Sequence, residues 1–147
     1  MSIINQKIRV LVVDDSMVAR GMIMQGLSAH PRIEVIGYAI NTMDAKTKIA
    51  ALKPDVVTMD VEMPGKSGPE FLREYIPQHP VPVILVSSLN LRVFDALDAG
   101  AVDFVQKPQS HGNRDVFITA LTQKVIIAAS AKVRMAQPTV SAAASSG

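Results

Sequence analysis

A chain of 147 residues, 48% hydrophobic and 19% charged, holds enough apolar material for one globular domain with a sizeable core. With no cysteine it carries neither a disulfide framework nor a thiolate metal site, and no apolar run reaches the roughly 18 residues a membrane span needs. A net charge of +2 and an aromatic content of 4% support neither an electrostatic footprint for nucleic acid nor a base-stacking platform.

The opening stretch, MSIINQKIRV, lacks the long apolar region and cleavage site of a signal peptide. A cytoplasmic location, no membrane insertion and no nucleic-acid partner are therefore expected. IRVLVV (Ile8–Val13) is the first short apolar run that reads as a strand, and it ends on Asp14-Asp15. Ser16 can cap a helix to about Ala29, with Ala19, Ile23 and Leu27 four apart on one face. IEVIGYA (Ile33–Ala39) is a second strand. Asn41 or Thr42 can cap a helix to about Leu52, which Lys53-Pro54 ends. VVTM (Val56–Met59) is a third strand and delivers Asp60. A helix from about Gly68 to Ile76 stops before Pro77. VPVILV (Val81–Val86) leads to Ser87-Ser88, and a helix over about 91–99 stops at Gly100. VDFV (Val102–Val105) leads to Lys107-Pro108. A last helix runs from near Asn113 to about Val133, with Val116, Ala120, Val125 and Ile126 among its apolar residues. The ending AQPTVSAAASSG is small and polar, so the expected division is a domain over 1–133 and a flexible linker or tail over 134–147.

Strand and helix alternate five times. The first, third and fourth strands are nearly continuous in apolar character, as strands buried on both faces are. The expected fold is α/β: a doubly wound, five-stranded parallel sheet flanked by five helices.

MDVEMPGKSG (59–68) raises a choice. Gly65-Lys66-Ser67 looks like the end of a phosphate-cradling P-loop, which also needs a glycine five residues earlier. That position is Asp60, and Pro64 lacks the N–H a cradle would use. Pro64-Gly65 reads as a turn, and attention passes to Asp60 itself.

Ligands of such sheets bind beyond the carboxyl ends of the strands. There stand Asp14-Asp15, Asp60, Ser87-Ser88 and Lys107-Pro108. Singly, each has an ordinary explanation: a turn, a cap, a solvated carboxylate, a surface charge. Together they form a set with a purpose. Three carboxylates repel one another and attract a divalent cation, and oxygen-only ligands suit Mg²⁺. With that cation present a carboxylate can attack phosphorus, while a lysine and a hydroxyl hold the phosphoryl oxygens. His30, His79 and His111 show no metal-ligand spacing, the eight methionines read as core filler, and no Gly-x-Ser-x-Gly elbow occurs.

These landmarks, over about residues 7–133, resemble a two-component response-regulator receiver domain, which has a flavodoxin-like fold. DVEMP (60–64), VSSL (86–89), GAVDFVQKP (100–108) and QKV (123–125) are similar to the receivers of chemotaxis protein-glutamate methylesterases, the CheB type. The resemblance implies phosphoryl transfer from a histidine kinase to Asp60. It implies Mg²⁺ held by Asp15, Asp60 and the backbone carbonyl of Glu62, with Asp14 acting mainly through water. Ser87 and Lys107 would grip the phosphoryl group, Phe104 would be the switch aromatic, and Lys107-Pro108 would be a cis peptide. It also implies, as a partner, a C-terminal methylesterase domain that this chain would regulate.

Two departures accompany the resemblance. Ser87 to Gly100 is shorter than in methylesterase receivers by about one helical turn, roughly 4 residues. No residues here could form a serine-hydrolase catalytic domain, so the chain is expected to be either a piece of a longer enzyme or a standalone receiver acting by protein–protein binding. An aspartyl-phosphate phosphatase is a third reading. Such enzymes often carry Asp-x-Asp, where this chain has Asp60-Val61-Glu62, and no cap domain is present to enclose a substrate.

Overall fold

The computed structural model describes residues 6–88, 100–108 and 112–136. In chain order the elements are β1 (Ile8–Val13), α1 (Met17–Ser28), β2 (Ile33–Ala39), α2 (Thr42–Leu52), β3 (Val56–Asp60), α3 (Gly68–Tyr75), β4 (Val83–Ser87), β5 (Asp103–Gln106) and α4 (Arg114–Ala136). The helix expected over 91–99 lies outside the described residues, among which four helices flank the sheet. The strand order is β2-β1-β3-β4-β5, and every neighbouring pair is parallel. The order reverses between β1 and β3, which places the ligand crevice of a doubly wound sheet at the ends of those two strands.

Alternation along each strand divides the core in two. Leu11, Val57, Met59, Val83 and Leu85 pack with Ile49, Phe71, Leu72 and Tyr75 under α2 and α3. Val10, Val12, Val56, Ile84 and Val86 pack with Ile23, Leu27, Phe117, Leu121 and Val125 under α1 and α4. The central strands are thus buried on both faces, which explains their nearly continuous apolar sequences, interrupted only by Arg9 in β1 and Thr58 in β3.

The helix starts follow their caps. Ser16 Oγ accepts from Ala19 N, and Asn41 Oδ1 accepts from Asp44 N. Ser67 and Glu70 form a reciprocal capping box with Pro69 in the first turn of α3. The Gly-Lys-Ser tripeptide is therefore a turn and a cap: Gly65 has φ +83°, Lys66 pairs with Glu74, and Ser67 starts α3.

Several boundaries differ from the sequence reading. β4 begins at Val83 rather than Val81, because Pro82 has no N–H and contributes only its carbonyl, to Val57 N at 2.9 Å. β5 is displaced by one residue, with Val102 N bonded to Val83 O at 2.9 Å as its first rung. α4 extends to Ala136. Its buried stripe is Phe117, Leu121, Val125 and Ala128, and Val116 is exposed. The methionines divide: Met59 and Met63 fill the core, whereas Met17 and Met43 are exposed, so core filler describes only some of them.

Candidate functional site

The carboxyl ends of β1, β3, β4 and β5 bring the expected residues to one edge. Asp14 and Asp60 are 1% and 4% exposed, Ser87 is fully buried, and Asp15 is exposed. Carboxylate oxygens of Asp14, Asp15 and Asp60 lie within 4.8 Å of one another. Lys107 is brought level with Ser87 by a bond from its N–H to Ser87 O at 2.7 Å. Its ammonium then spans the crevice, 2.9 Å from Asp14 Oδ2 and 3.3 Å from Asp60 Oδ1. Lys107 is the cation that serves both oxygens, and among the described residues neither has another donor. The other Asp14 oxygen accepts from Ser16 N at 2.9 Å, which ties the buried aspartate to the cap of α1.

The electrostatics are unbalanced by design of the fold. Burial, then the nearby Asp14 carboxylate, pushes the Asp60 pKa from 3.8 up to about 6, against the pull of Lys107. For Lys107, burial opposes the charge, but Asp14 and Asp60 outweigh it and the pKa is raised. One ammonium faces three carboxylates. The surplus negative charge and the oxygen-only donor set both fit a hard divalent cation.

Around this centre the backbone is close. Gly68 donates its N–H to Val61 O at 3.1 Å, and a Cβ at position 68 would stand 2.9 Å from the Asp60 carbonyl oxygen. Arg20 donates to the Asp14 carbonyl at 3.1 Å and lies over the Tyr38 ring, 4.4 Å from its centroid. Phe104 stands apart, on β5 opposite Leu85, half-buried against the α2–α3 core.

Two observations depart from the sequence reading. Lys107–Pro108 is trans, not cis. The trans isomer is favoured by about 0.5–1 kcal/mol at X–Pro bonds, and Lys107 reaches both aspartates with it. The side chain of Glu62, to which the sequence reading gave no role, engages the end of β4. Ser87 Oγ donates a short hydrogen bond to Glu62 Oε2, and Ser88 N and Oγ each lie 3.4 Å from Glu62 Oε1.

The five-stranded parallel sheet with an acidic crevice at its switch point defines a doubly wound α/β domain with a candidate cation site. The family model for the response regulator receiver domain matches residues 10–121, and the chain belongs to that family of two-component signalling proteins. It is 47% identical over 130 residues to a protein-glutamate methylesterase/protein-glutamine glutaminase of Syntrophomonas wolfei, covering 87% of this chain and 38% of that protein. It is 48% identical over 134 residues to the corresponding protein of Syntrophotalea carbinolica, covering 87% and 38%. Among solved structures, the response regulator domain of Thermotoga maritima CheB matches with TM-score 0.77 and 38% identity, over 85% of this chain and 98% of that one. The CheX–CheY–BeF3–Mg complex of Borrelia burgdorferi matches with TM-score 0.69 and 26% identity, over 83% and 88%. The chain spans well under half the length of the methylesterases it resembles.

Proposed function

We propose that this chain is a phosphorylatable receiver that takes a phosphoryl group from a histidine kinase onto Asp60 and regulates a chemotaxis protein-glutamate methylesterase. The observation that carries the reading is the position of Asp60: recessed at the end of the central strand, beside two further aspartates and 3.3 Å from the Lys107 ammonium. A carboxylate oxygen of Asp60 forms a bond to phosphorus as the bond from phosphorus to the donor's imidazole nitrogen breaks. The electron pair stays on the imidazole, which takes up a proton. Lys107 lies where it can draw the phosphoryl oxygens inward, and Ser87 offers a hydroxyl at the next strand end. Asp15, Asp60 and the backbone carbonyl of Glu62 would hold Mg²⁺, with Asp14 acting through water. That ion supplies neutralising charge between the carboxylates and the phosphoryl oxygens. Phe104, on the strand that carries Lys107, turns inward as Ser87 engages the phosphoryl group.

The methylesterase assignment rests on relatives nearly half identical across this chain. In it, the receiver runs to the end of α4 at Ala136, three residues past the boundary read from the sequence, the residues after it are a linker, and the protein acts in the cytoplasm beside its kinase. The test is incubation with acetyl phosphate and Mg²⁺, followed by mass mapping. One phosphoryl group on Asp60, lost in Asp60→Asn and without Mg²⁺, is expected. Label on another residue would overturn the assignment.

A further inference from the structure

Glu62 makes a contact that the phosphoryl-transfer scheme does not use. One of its oxygens accepts from Ser87 Oγ, and the other faces Ser88 N and Ser88 Oγ, each at 3.4 Å. The register explains the meeting: Asp60 pairs with Val86, so two residues further along Glu62 lies level with Ser88. A half-buried anion thus gathers the donors at the end of β4, next to the strand end that would carry a second anion.

A serine hydroxyl carries a single proton and donates a single hydrogen bond. Where that proton is given to Glu62, it is not available to a phosphoryl oxygen on Asp60. The two acceptors are therefore mutually exclusive at Ser87. We propose that Glu62 is a positioning residue whose carboxylate stands in for the phosphoryl group, holds the Ser87-Ser88 turn in the unphosphorylated state, and must release it before Ser87 can switch. This deepens the reading of Asp60 as phosphoacceptor and rests on it. The competing bond is charge-assisted, and its loss is comparable in size to about tenfold in affinity for the incoming group.

The probe is beryllofluoride with Mg²⁺, a stand-in for the phosphoryl group, titrated into the full chain and read by ¹⁹F NMR. Glu62→Ala is expected to bind it about tenfold more tightly than the wild type, with Glu62→Gln in between because an amide keeps the shape but loses the charge. Removing any nearby negative charge would also favour an anion, so Ser87→Ala supplies the control. With no hydroxyl to contest, Glu62→Ala should add less than about twofold in the Ser87→Ala background. An equal gain in both backgrounds would replace the competition by simple charge repulsion. An unchanged affinity in both Glu62 variants would remove the proposal outright. If the wild type itself fails to bind beryllofluoride, the assignment of Asp60 falls first. Thermal unfolding of each variant shows that the comparison is made between folded proteins.

Discussion

Two lysine–aspartate pairs flank β5 at nearly the same distance, and they are physically unlike. Lys124 meets Asp103 at 3.0 Å, with side chains 33% and 42% exposed. Lys107 meets Asp14 at 2.9 Å, with side chains 13% and 1% exposed, and shares its charge with Asp60. The first pair is solvated, and water and salt screen it. The second is enclosed, so its attraction must work against the desolvation of three ionised groups. The difference teaches that separation alone does not rank an ion pair. Burial makes one pair a surface detail and the other a charged centre in which one ammonium serves two enclosed carboxylates.

The sharpest way to break the comparison is to remove each ammonium in turn. Lys107→Ala leaves two buried carboxylates without a counter-charge and is expected to lower stability by about 3 kcal/mol at pH 8 without Mg²⁺, measured by urea unfolding. It should also abolish detectable labelling of Asp60. Equal losses from Lys107→Ala and Lys124→Ala would erase the distinction.

Removing an anion from the enclosed centre should have the opposite sign. Because the Asp60 pKa is raised from 3.8 to about 6, the folded state holds a proton that the unfolded chain releases. Its stabilising effect is complete below about pH 4 and is lost as pH rises through about 6. At about 1.4 kcal/mol per pH unit, the change is on the order of 3 kcal/mol. Asp60→Asn should flatten that part of the stability profile and be the more stable protein at pH 8 without metal, by up to about 2 kcal/mol. A stability difference between the two proteins that fails to widen in favour of Asp60→Asn between pH 4 and 6 would contradict the site's electrostatics.

Adding Mg²⁺ sharpens the contrast. Mg²⁺ at ten times its dissociation constant should stabilise the wild type by about 1.4 kcal/mol, seen as a rise in melting temperature. Asp15→Asn should reduce that rise strongly, and Lys124→Ala should leave it intact. The smallest effect belongs to the exposed pair: Lys124→Ala should cost under about 0.5 kcal/mol, and 0.5 M NaCl should remove most of it.

Much of this was legible in the sequence, for identifiable reasons. β1, β3 and β4 are covered on both sides, so their runs are apolar apart from Arg9 and Thr58, and Asp14, Asp60 and Ser87 stood out as the polar residues at their carboxyl ends. The side-chain role of Glu62 was not legible as a local pattern, because it depends on Ser87, 25 residues away. Strand pairing alone could have suggested it, since equal lengths of chain past β3 and β4 end side by side. The buried face of α4 was not legible because apolar residues occur all round the helix, and only packing against α1 and the sheet chooses Phe117 and Leu121 over Val116. The isomer at Pro108 is set by energies too small for composition to show.

Gly68 has a further consequence. Its neighbours at closest approach include backbone atoms, the Asp60 carbonyl oxygen at 2.9 Å and Val61 Cα at 3.3 Å from where a Cβ would be. Side chains can turn aside when parts shift, but a peptide cannot. The first turn of α3 therefore rests against the peptide of Asp60 with room for a hydrogen at position 68 and for nothing larger. Any side chain there must push the helix off the acceptor strand or bend the end of that strand, so the fit between the two is a tolerance set by one hydrogen atom.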